Sequence, residues 1–454
     1  MVKETMTIAH FSDLHVGSHS WGIWESLTRR LLDVNPDLFV ISGDISECNE
    51  EHALQFVLNW MKDAISEDDT SQAFGLRLGE SFFERVIIIP GNHDYYNLNK
   101  NNRIPVQLPK GDKEVNFYKV FRKHELPRWH FVENIDGSSI YIIAVESPAE
   151  MTIANGYVSK EDLELIRKWT DQGRHGNLKR NGHLLGIAGL KEEEATNRFN
   201  QSFKILVLHH YLHLPRACGE QPMMSVQNAH EVWGQIASDD FDMILSGHEH
   251  HDFFGSLKYQ EVLDHRATRR FSRMYCIRQL GLRHPPVYHI DENNKLLPKY
   301  VRIAINYFKS KADKIDDVYG TTIYRWRGIS LAERSIRKGF KEFLKVDLKD
   351  NMIKNVISKI SEIVLPEIRS VLKRRHFINS IAATATRANE PENGFYVYKI
   401  GKNRKVECSP YCYSYEKNEF MIDTDRVESF SLSRPLDLFK TKVYNKLKEA
   451  NIFK

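Results

Sequence analysis

Five short polar blocks follow one another along the chain: Asp13-Leu14-His15, Gly43-Asp44, Gly91-Asn92-His93-Asp94, His209-His210 and Gly247-His248-Glu249-His250. Carboxylates, imidazoles and a carboxamide in this number are what a dinuclear metal site needs to cleave a phosphate ester. Two divalent ions roughly 3.5–4 Å apart clamp the attacking and the leaving oxygen of an in-line displacement, and they lower the pKa of a bound water toward about 7. A carboxylate suits the place between two cations, because it offers two oxygens and cancels charge. Asp44 fits that place, since Gly43 allows a tight turn before it. Imidazole and carboxylate donors together favour manganese, iron or zinc over calcium, which prefers oxygen throughout its shell. Asn92 offers a neutral oxygen. His93, its neighbour, would then lie beside the metals without binding them, placed to assist a leaving group. Each block alone reads as a polar turn, but five of them in this order, each behind an apolar run, do not.

Those apolar runs are the elements that must position the blocks. Met6-Thr7-Ile8-Ala9-His10-Phe11, Leu38-Phe39-Val40-Ile41, Val86-Ile87-Ile88-Ile89 and Ile205-Leu206-Val207-Leu208 read as buried strands, and the shorter Met243-Ile244-Leu245 precedes the last block. Strand ends meeting at one sheet edge gather ligands that lie far apart in sequence. Helices fit residues 24–32 and 52–65, and paired strands fit 131–135 and 139–145 around Asp136-Gly137. Ser159 with Asp162 three residues on opens a further helix in the manner of a capping box. Residues 174–201 are more polar and read as an excursion from the core.

The set Asp13-x-His15, Gly43-Asp44, Gly91-Asn92-His93-Asp94, His209 and Gly247-His248-x-His250 resembles the calcineurin-like metallophosphoesterases. That resemblance implies an α/β fold, a four-layer sandwich of two central β-sheets flanked by helices. It also implies one metal on Asp13, His15 and His250, another on Asn92, His209 and His248, and Asp44 bridging them. His93 becomes the general acid at the scissile phosphate, with Asp94 as its orienting partner, and metal-bound hydroxide is the attacking group. The family's first His of a His-His-Pro form points to His209 rather than His210 as the ligand, although this chain has Tyr211 in place of the proline.

At 454 residues the chain exceeds the roughly 250–300 residues of one ordinary core. Its 41% hydrophobic and 27% charged residues describe a soluble globular protein, and no run approaches the roughly 18 apolar residues of a membrane span. Met1-Val2-Lys3-Glu4-Thr5 leads straight into the first strand, so no signal peptide is expected. The five cysteines, Cys48, Cys218, Cys276, Cys408 and Cys412, are sparse and odd in number, as expected of reduced thiols in a cytoplasm.

The net charge of +4 hides an asymmetry. Residues 257–376 carry 27 Lys and Arg against 13 Asp and Glu, a net of +14, so the rest of the chain stands at −10. Residues 1–256 are read as the first part of the catalytic domain and 257–376 as a basic, mainly helical insertion. Residues 377–433 then supply the closing strands, in the form of a hairpin, and 434–454 a C-terminal helix. Apolar stripes through Ile336, Phe340 and Phe343, and through Ile353, Ile357 and Ile360, support the helical reading of the insertion. Stripes of this kind usually pack on each other or on the body. Basic amphipathic helices also suit a membrane surface or nucleic acid.

The forms Val40-Ile41-Ser42-Gly43-Asp44-Ile45-Ser46 and Leu208-His209-His210 are most similar to the cyclic nucleotide and glycerophosphodiester phosphodiesterases of the superfamily. A nucleotide-type or other small phosphodiester is the favoured substrate. The alternatives are a manganese-dependent nuclease of the DNA-repair exonuclease type, a lipid-linked nucleotide pyrophosphatase and, least favoured because every expected ligand is present, a non-catalytic scaffold.

Overall fold

A computed structural model describes residues 5–63, 74–98, 105–109, 112, 114–121, 126–133, 139–150, 152, 154–212, 226–229, 231–232, 241–250, 253–258, 313–316, 322–325, 374–380, 382–384, 393–401 and 405–431. The chain divides into two compact units. One comprises Met1–Val232, Phe241–Leu257 and Arg375–Leu432; the other comprises Trp233–Asp240, Lys258–Arg374 and Ser433–Lys454.

The first unit is built from strands β1 (Thr5–Phe11), β2 (Leu38–Ser42), β3 (Val86–Ile89), β4 (Tyr96–Leu98), β5 (Pro105–Gln107), β6 (Arg128–Glu133) and β7 (Ser139–Ala144). They are followed by β8 (Lys179–Arg180), β9 (His183–Leu184), β10 (Phe203–Val207), β11 (Met243–Ser246) and β12 (Phe253–Lys258). In the second unit the described residues form a hairpin of β13 (Asp313–Asp316) and β14 (Thr322–Arg325). Strands β15 (Arg374–Asn379), β16 (Gly394–Gly401), β17 (Lys405–Ser414), β18 (Glu419–Ile422) and β19 (Glu428–Ser431) complete the first unit. The helices expected within 257–376 and at the C-terminus lie outside the described residues.

Two large sheets result. One has the order β18-β17-β16-β1-β2-β3 with β19 beside β17, and the other the order β12-β15-β11-β10-β7-β6. Strands β1, β2 and β3 run parallel, as do β7, β10, β11 and β15. Both faces of each sheet are covered, which is why their strands are nearly continuous apolar runs. Along β1 to β3, Ile8, Val40, Ile87 and Ile89 face the second sheet's Ile142, Ile205, Val207 and Leu245. The alternate residues Ala9, Phe11, Phe39, Ile41 and Ile88 face helices α1 (Trp21–Val34) and α2 (Glu51–Lys62) through Trp24, Leu27, Val57 and Trp60. Short helices α3 (Phe82–Arg85) and α4 (Asn116–Val120) pack on the same side. The second sheet is covered by α5 (Lys160–Arg174) and α6 (Glu192–Gln201), whose Phe199 ring meets Tyr141 of β7 edge-on at 4.7 Å. The fold is thus the α/β sandwich of two helix-flanked sheets.

The Ser159 cap forms as the sequence suggests, its side chain accepting from the Asp162 N–H at 3.0 Å. Two expectations change. Residues 174–201 are not wholly an excursion: the β8–β9 hairpin and the first turn of α6 are largely exposed, while Ala195 and Phe199 are buried and hold α6 to the sheet. The segments after the insertion do not form a hairpin with each other. Strand β15 slots between β11 and β12 of one sheet, and β16 pairs antiparallel with β1 of the other. The apolar pattern marked both as strands but carried no information about their partners.

Candidate metal centre

Because β1, β2 and β3 are parallel, the loops after them leave the same edge of the first sheet, carrying Asp13, Asp44 and Asn92. The loops after β10 and β11 do likewise in the second sheet, carrying His209 and His248. Backbone bonds knit these loops together: Asp13 N–H to Gly43 O at 3.0 Å, His15 N–H to Asp44 O at 3.0 Å and Gly247 N–H to His209 O at 2.9 Å. The two sets meet where the His248 N–H approaches both carboxylate oxygens of Asp13, at 3.2 and 3.1 Å.

Local backbone marks the same place. Eleven described non-glycine residues have positive φ, and five of them are Asp13, His15, Asp44, His248 and His250. Such conformations cost on the order of 1–3 kcal/mol each and gather where the surroundings impose them. Gly43 has φ of +100°, and a Cβ there would overlap the His209 ring. At Gly91 a Cβ would overlap the Asp44 carboxylate. Both glycines therefore supply the room that lets three loops converge.

The converging side chains form two groups that share Asp44, and a third group, His15, Glu47 and His93, adjoins the first through His15. Asp13, His15, Asp44 and His250 each offer a ligand atom within 4.8 Å of the others, and so do Asp44, His209 and His248. In the first group His15 Nε2 lies 3.0 Å from His250 Nε2 and 3.7 Å from Asp44 Oδ2, and His250 Nε2 lies 3.3 Å from Asp13 Oδ1. In the second, His209 Nε2 is 3.3 Å from Asp44 Oδ2, 3.2 Å from His248 Nδ1 and 3.1 Å from Asn92 Oδ1. All seven side chains are buried.

Proton accounting shows that this donor set fits cations. A carbonyl only accepts, so His209 Nδ1, 2.7 Å from Ser42 O, carries its ring proton there. Its Nε2 then turns toward a carboxylate oxygen, an amide oxygen and a second imidazole nitrogen. His15 Nδ1 stands 2.9 Å from Glu47 Oε2, which directs its Nε2 toward His250 and the two aspartates. His248 Nε2 is buried with no hydrogen-bond partner among the described residues. Carboxylate, amide and imidazole acceptors gathered in a buried pocket call for positive charge between them, supplied by a proton on His209 or by a cation. The titration of the groups reports the same demand. Burial opposes charge on Asp44, yet His209, His93 and His15 hold its carboxyl well below the usual range. Burial also opposes charge on His209, but Asp44 and Asp13 push it up to about 9. His248 is driven down to about 3 by burial and by His209.

His93 stands at the rim, with 15% of its side chain exposed. Its backbone N–H donates to Asp44 Oδ1 at 2.9 Å, and its Nδ1 donates to Glu47 O at 2.8 Å. Its ring meets His15 edge-on at 4.5 Å and lies 4.4 Å from Tyr96. Asp94 takes a different place from the one expected of an orienting partner. Its carboxylate accepts from the N–H groups of Gly91, Ile45 and Ser46 and from the Ser46 hydroxyl, at 2.8 to 3.0 Å. It pins the loop after β3 to the loop after β2. The pair His209-His210 also divides: His209 reaches Asp44, whereas His210 Nδ1 turns 2.9 Å to Ser147 Oγ. That hydroxyl oxygen also accepts from the N–H groups of both histidines, at 3.1 Å each.

Sequence reasoning passed over Glu47, Ser147 and the metal-side role of Ser42. Glu47, three residues after Asp44, was the one visible hint, since a carboxylate there can reach back to the loop. Ser147 carried no signal, because its role depends on β7 lying beside β10.

A profile of the calcineurin-like phosphoesterases matches residues 6–252. No curated protein matches the chain. Among solved structures, purple acid phosphatase PPD1 from yellow lupin (Lupinus luteus) seeds aligns at a TM-score of 0.38 and 8% identity. The alignment covers 93% of this chain, and this chain spans about half, 53%, of the plant protein. A structure of PhoD aligns at 0.34 and 8%, over 93% of this chain and 72% of its own. The matched segment makes up more than half of the chain and contains all seven converging side chains and His93: the chain belongs to the calcineurin-like phosphoesterase family.

Proposed function

We propose that the chain hydrolyses a phosphodiester at a pair of divalent transition-metal ions. Asp13, His15 and His250 would hold one ion, Asn92, His209 and His248 the other, and Asp44 both. The observation that carries this reading is the sharing of Asp44 by two separate groups of buried ligand atoms. Manganese, iron and zinc suit such a donor set. When bound, the ions supply Lewis acidity, withdrawing electron density from a phosphate and acidifying water beside it.

The chain's own residues would do the rest. The carboxylates of Asp13 and Asp44 balance the charge of the cations. The Ser42 carbonyl and the Glu47 carboxylate hold protons on the outer nitrogens of His209 and His15, leaving the inner nitrogens as ligands. The Glu47 carbonyl holds the Nδ1 proton of His93, so that Nε2 is the atom that would pass a proton to the leaving oxygen. Preference for a diester rests on the Val40-Ile41-Ser42-Gly43-Asp44-Ile45-Ser46 form, and a small nucleotide-type diester is the substrate class it favours. The reading is tested with Mn²⁺-loaded protein on a generic diester, a generic monoester, cyclic nucleotides and single-stranded DNA. Hydrolysis of small diesters that disappears in Asp44→Ala, together with most of the bound metal, is the expected result. Wild-type turnover in Asp44→Ala would overturn it.

A further inference from the structure

Asn92 is the only amide among the seven candidate ligands, and an amide presents two ends of the same shape. Its oxygen can approach a cation; its NH₂ group cannot. The structure turns Oδ1 toward His209 Nε2 at 3.1 Å and directs Nδ2 to the Tyr96 hydroxyl, which accepts at 2.6 Å. The side chain of Asn92 is buried, so an NH₂ group without an acceptor there would cost about 1–3 kcal/mol. Tyr96 is itself held by the backbone, opposite Gln107 in the β4–β5 ladder, and the Gln107 N–H is tied to Thr152 O at 2.8 Å. Its ring lies 4.4 Å from the His93 ring.

We propose that Tyr96 is a positioning residue: by accepting the Asn92 amide proton, its hydroxyl commits the amide oxygen to the cation on the His209 side. This inference rests on the metal-site reading above and adds a residue that the motif does not contain. Without the hydroxyl, the NH₂ group would lose this acceptor and, with it, the hold that keeps the amide from turning over. That turn would place donors where a cation has to sit.

The test is Mn²⁺ titration of the metal-free full chain by calorimetry, with unfolding of the metal-free protein as a second readout. Tyr96→Phe keeps the ring beside His93 and removes only the hydroxyl. One of the two Mn²⁺ binding steps should weaken about 10–100-fold, the usual scale for a group that orients a ligand. The other step should hold. A carboxylate has two oxygens and no wrong end, so Tyr96→Phe in an Asn92→Asp background should weaken neither step by more than about 3-fold, rescue that a merely structural tyrosine would not show. Unchanged Mn²⁺ binding in Tyr96→Phe, or an equal loss in the Asn92→Asp background, would overturn the assignment of Tyr96 while leaving the metal site standing. Wild-type protein that takes up no Mn²⁺ would overturn both.

Discussion

Among the histidines near the site, His93 is set apart by the exposure of part of its side chain at the rim. That arrangement suits proton transfer rather than metal binding. His93→Ala should therefore retain its bound metal and lose about 10²–10⁴-fold in turnover, with a smaller loss on substrates whose leaving groups need little protonation. Equal losses on good and poor leaving groups would mean that His93 only positions the phosphate. His10 is of another kind. It is buried between the sheets, with Nδ1 3.0 Å from the Tyr398 hydroxyl and Nε2 2.8 Å from Ser42 Oγ. Burial pushes its pKa down to about 3 from 6.5, against the pull of Asp13. Between those values the unfolded chain binds a proton that the folded chain refuses. Its contribution is thus complete above pH 6.5 and drains away as the pH falls toward 3, at up to about 1.4 kcal/mol per unit. His10→Gln should flatten the acid limb of unfolding of the metal-free protein over that window. A limb of unchanged slope would show that His10 is protonated in the folded state.

At the scale of elements, parallel strands deliver the candidate ligands, but the loops after them have to be fastened. Asp94 does much of the fastening, with two donors on each carboxylate oxygen: Ser46 N–H and hydroxyl on Oδ1, Ile45 and Gly91 N–H on Oδ2. Asp94→Asn preserves volume but turns one of those oxygens into a donor. With the NH₂ group in place of Oδ2 two buried N–H groups lose their acceptor, and in place of Oδ1 the Ser46 N–H does while the Ser46 hydroxyl can turn to accept, at about 1–3 kcal/mol for each N–H left unpaired. The metal-free variant should unfold at clearly lower denaturant, and both metal-binding steps should weaken, because the pinned loops carry Asp44 and Asn92. An unchanged denaturation midpoint would mean that the clasp contributes nothing. The same scale explains why β15 arrives so late. The chain leaves the second sheet after β12 and returns to pair with β11, so the segment between can lengthen without disturbing the edge that carries His248 and His250.

At the scale of the molecule, the two sheets of the first unit meet at a site that gathers acceptor groups from both. Acceptor atoms of Asp13, Asp44, Asn92, His209 and His248 face a common space across the junction of two sheets. Cations bound there and absent from the unfolded chain should add stability, about 2.7 kcal/mol for each site filled at a hundred times its dissociation constant. Chelation should accordingly lower the thermal midpoint, and Mn²⁺ should restore it. A midpoint that ignores chelation, in protein shown to have carried metal beforehand, would sink the idea that the ions bridge the sheets. Among the described residues no helix is long and apolar enough to cross a membrane, and Cys48, Cys408 and Cys412 form no disulfide.

Much of this was legible in the residues alone. Apolar runs behind Asp13, Asp44, Asn92 and His209 marked the strands, because burial on both faces leaves no polar alternation to confuse the pattern. The ligand types at those strand ends named the chemistry, since imidazole and carboxylate in that number have few other uses. The capping serine Ser159 could be read because its interaction is local. Partners distant in sequence could not be read. Nothing in the chain said that Asp94 would clasp the neighbouring loop instead of His93, that Ser147 would take both backbone N–H groups of the His209-His210 pair, or that Tyr96 would receive the Asn92 amide. Nor did it say that β15 and β16 would part company for different sheets. Residue type and periodicity record whether a position is buried and what it can donate or accept. Which buried group meets which is decided by strand order and register, and these exist only once the sheets have formed.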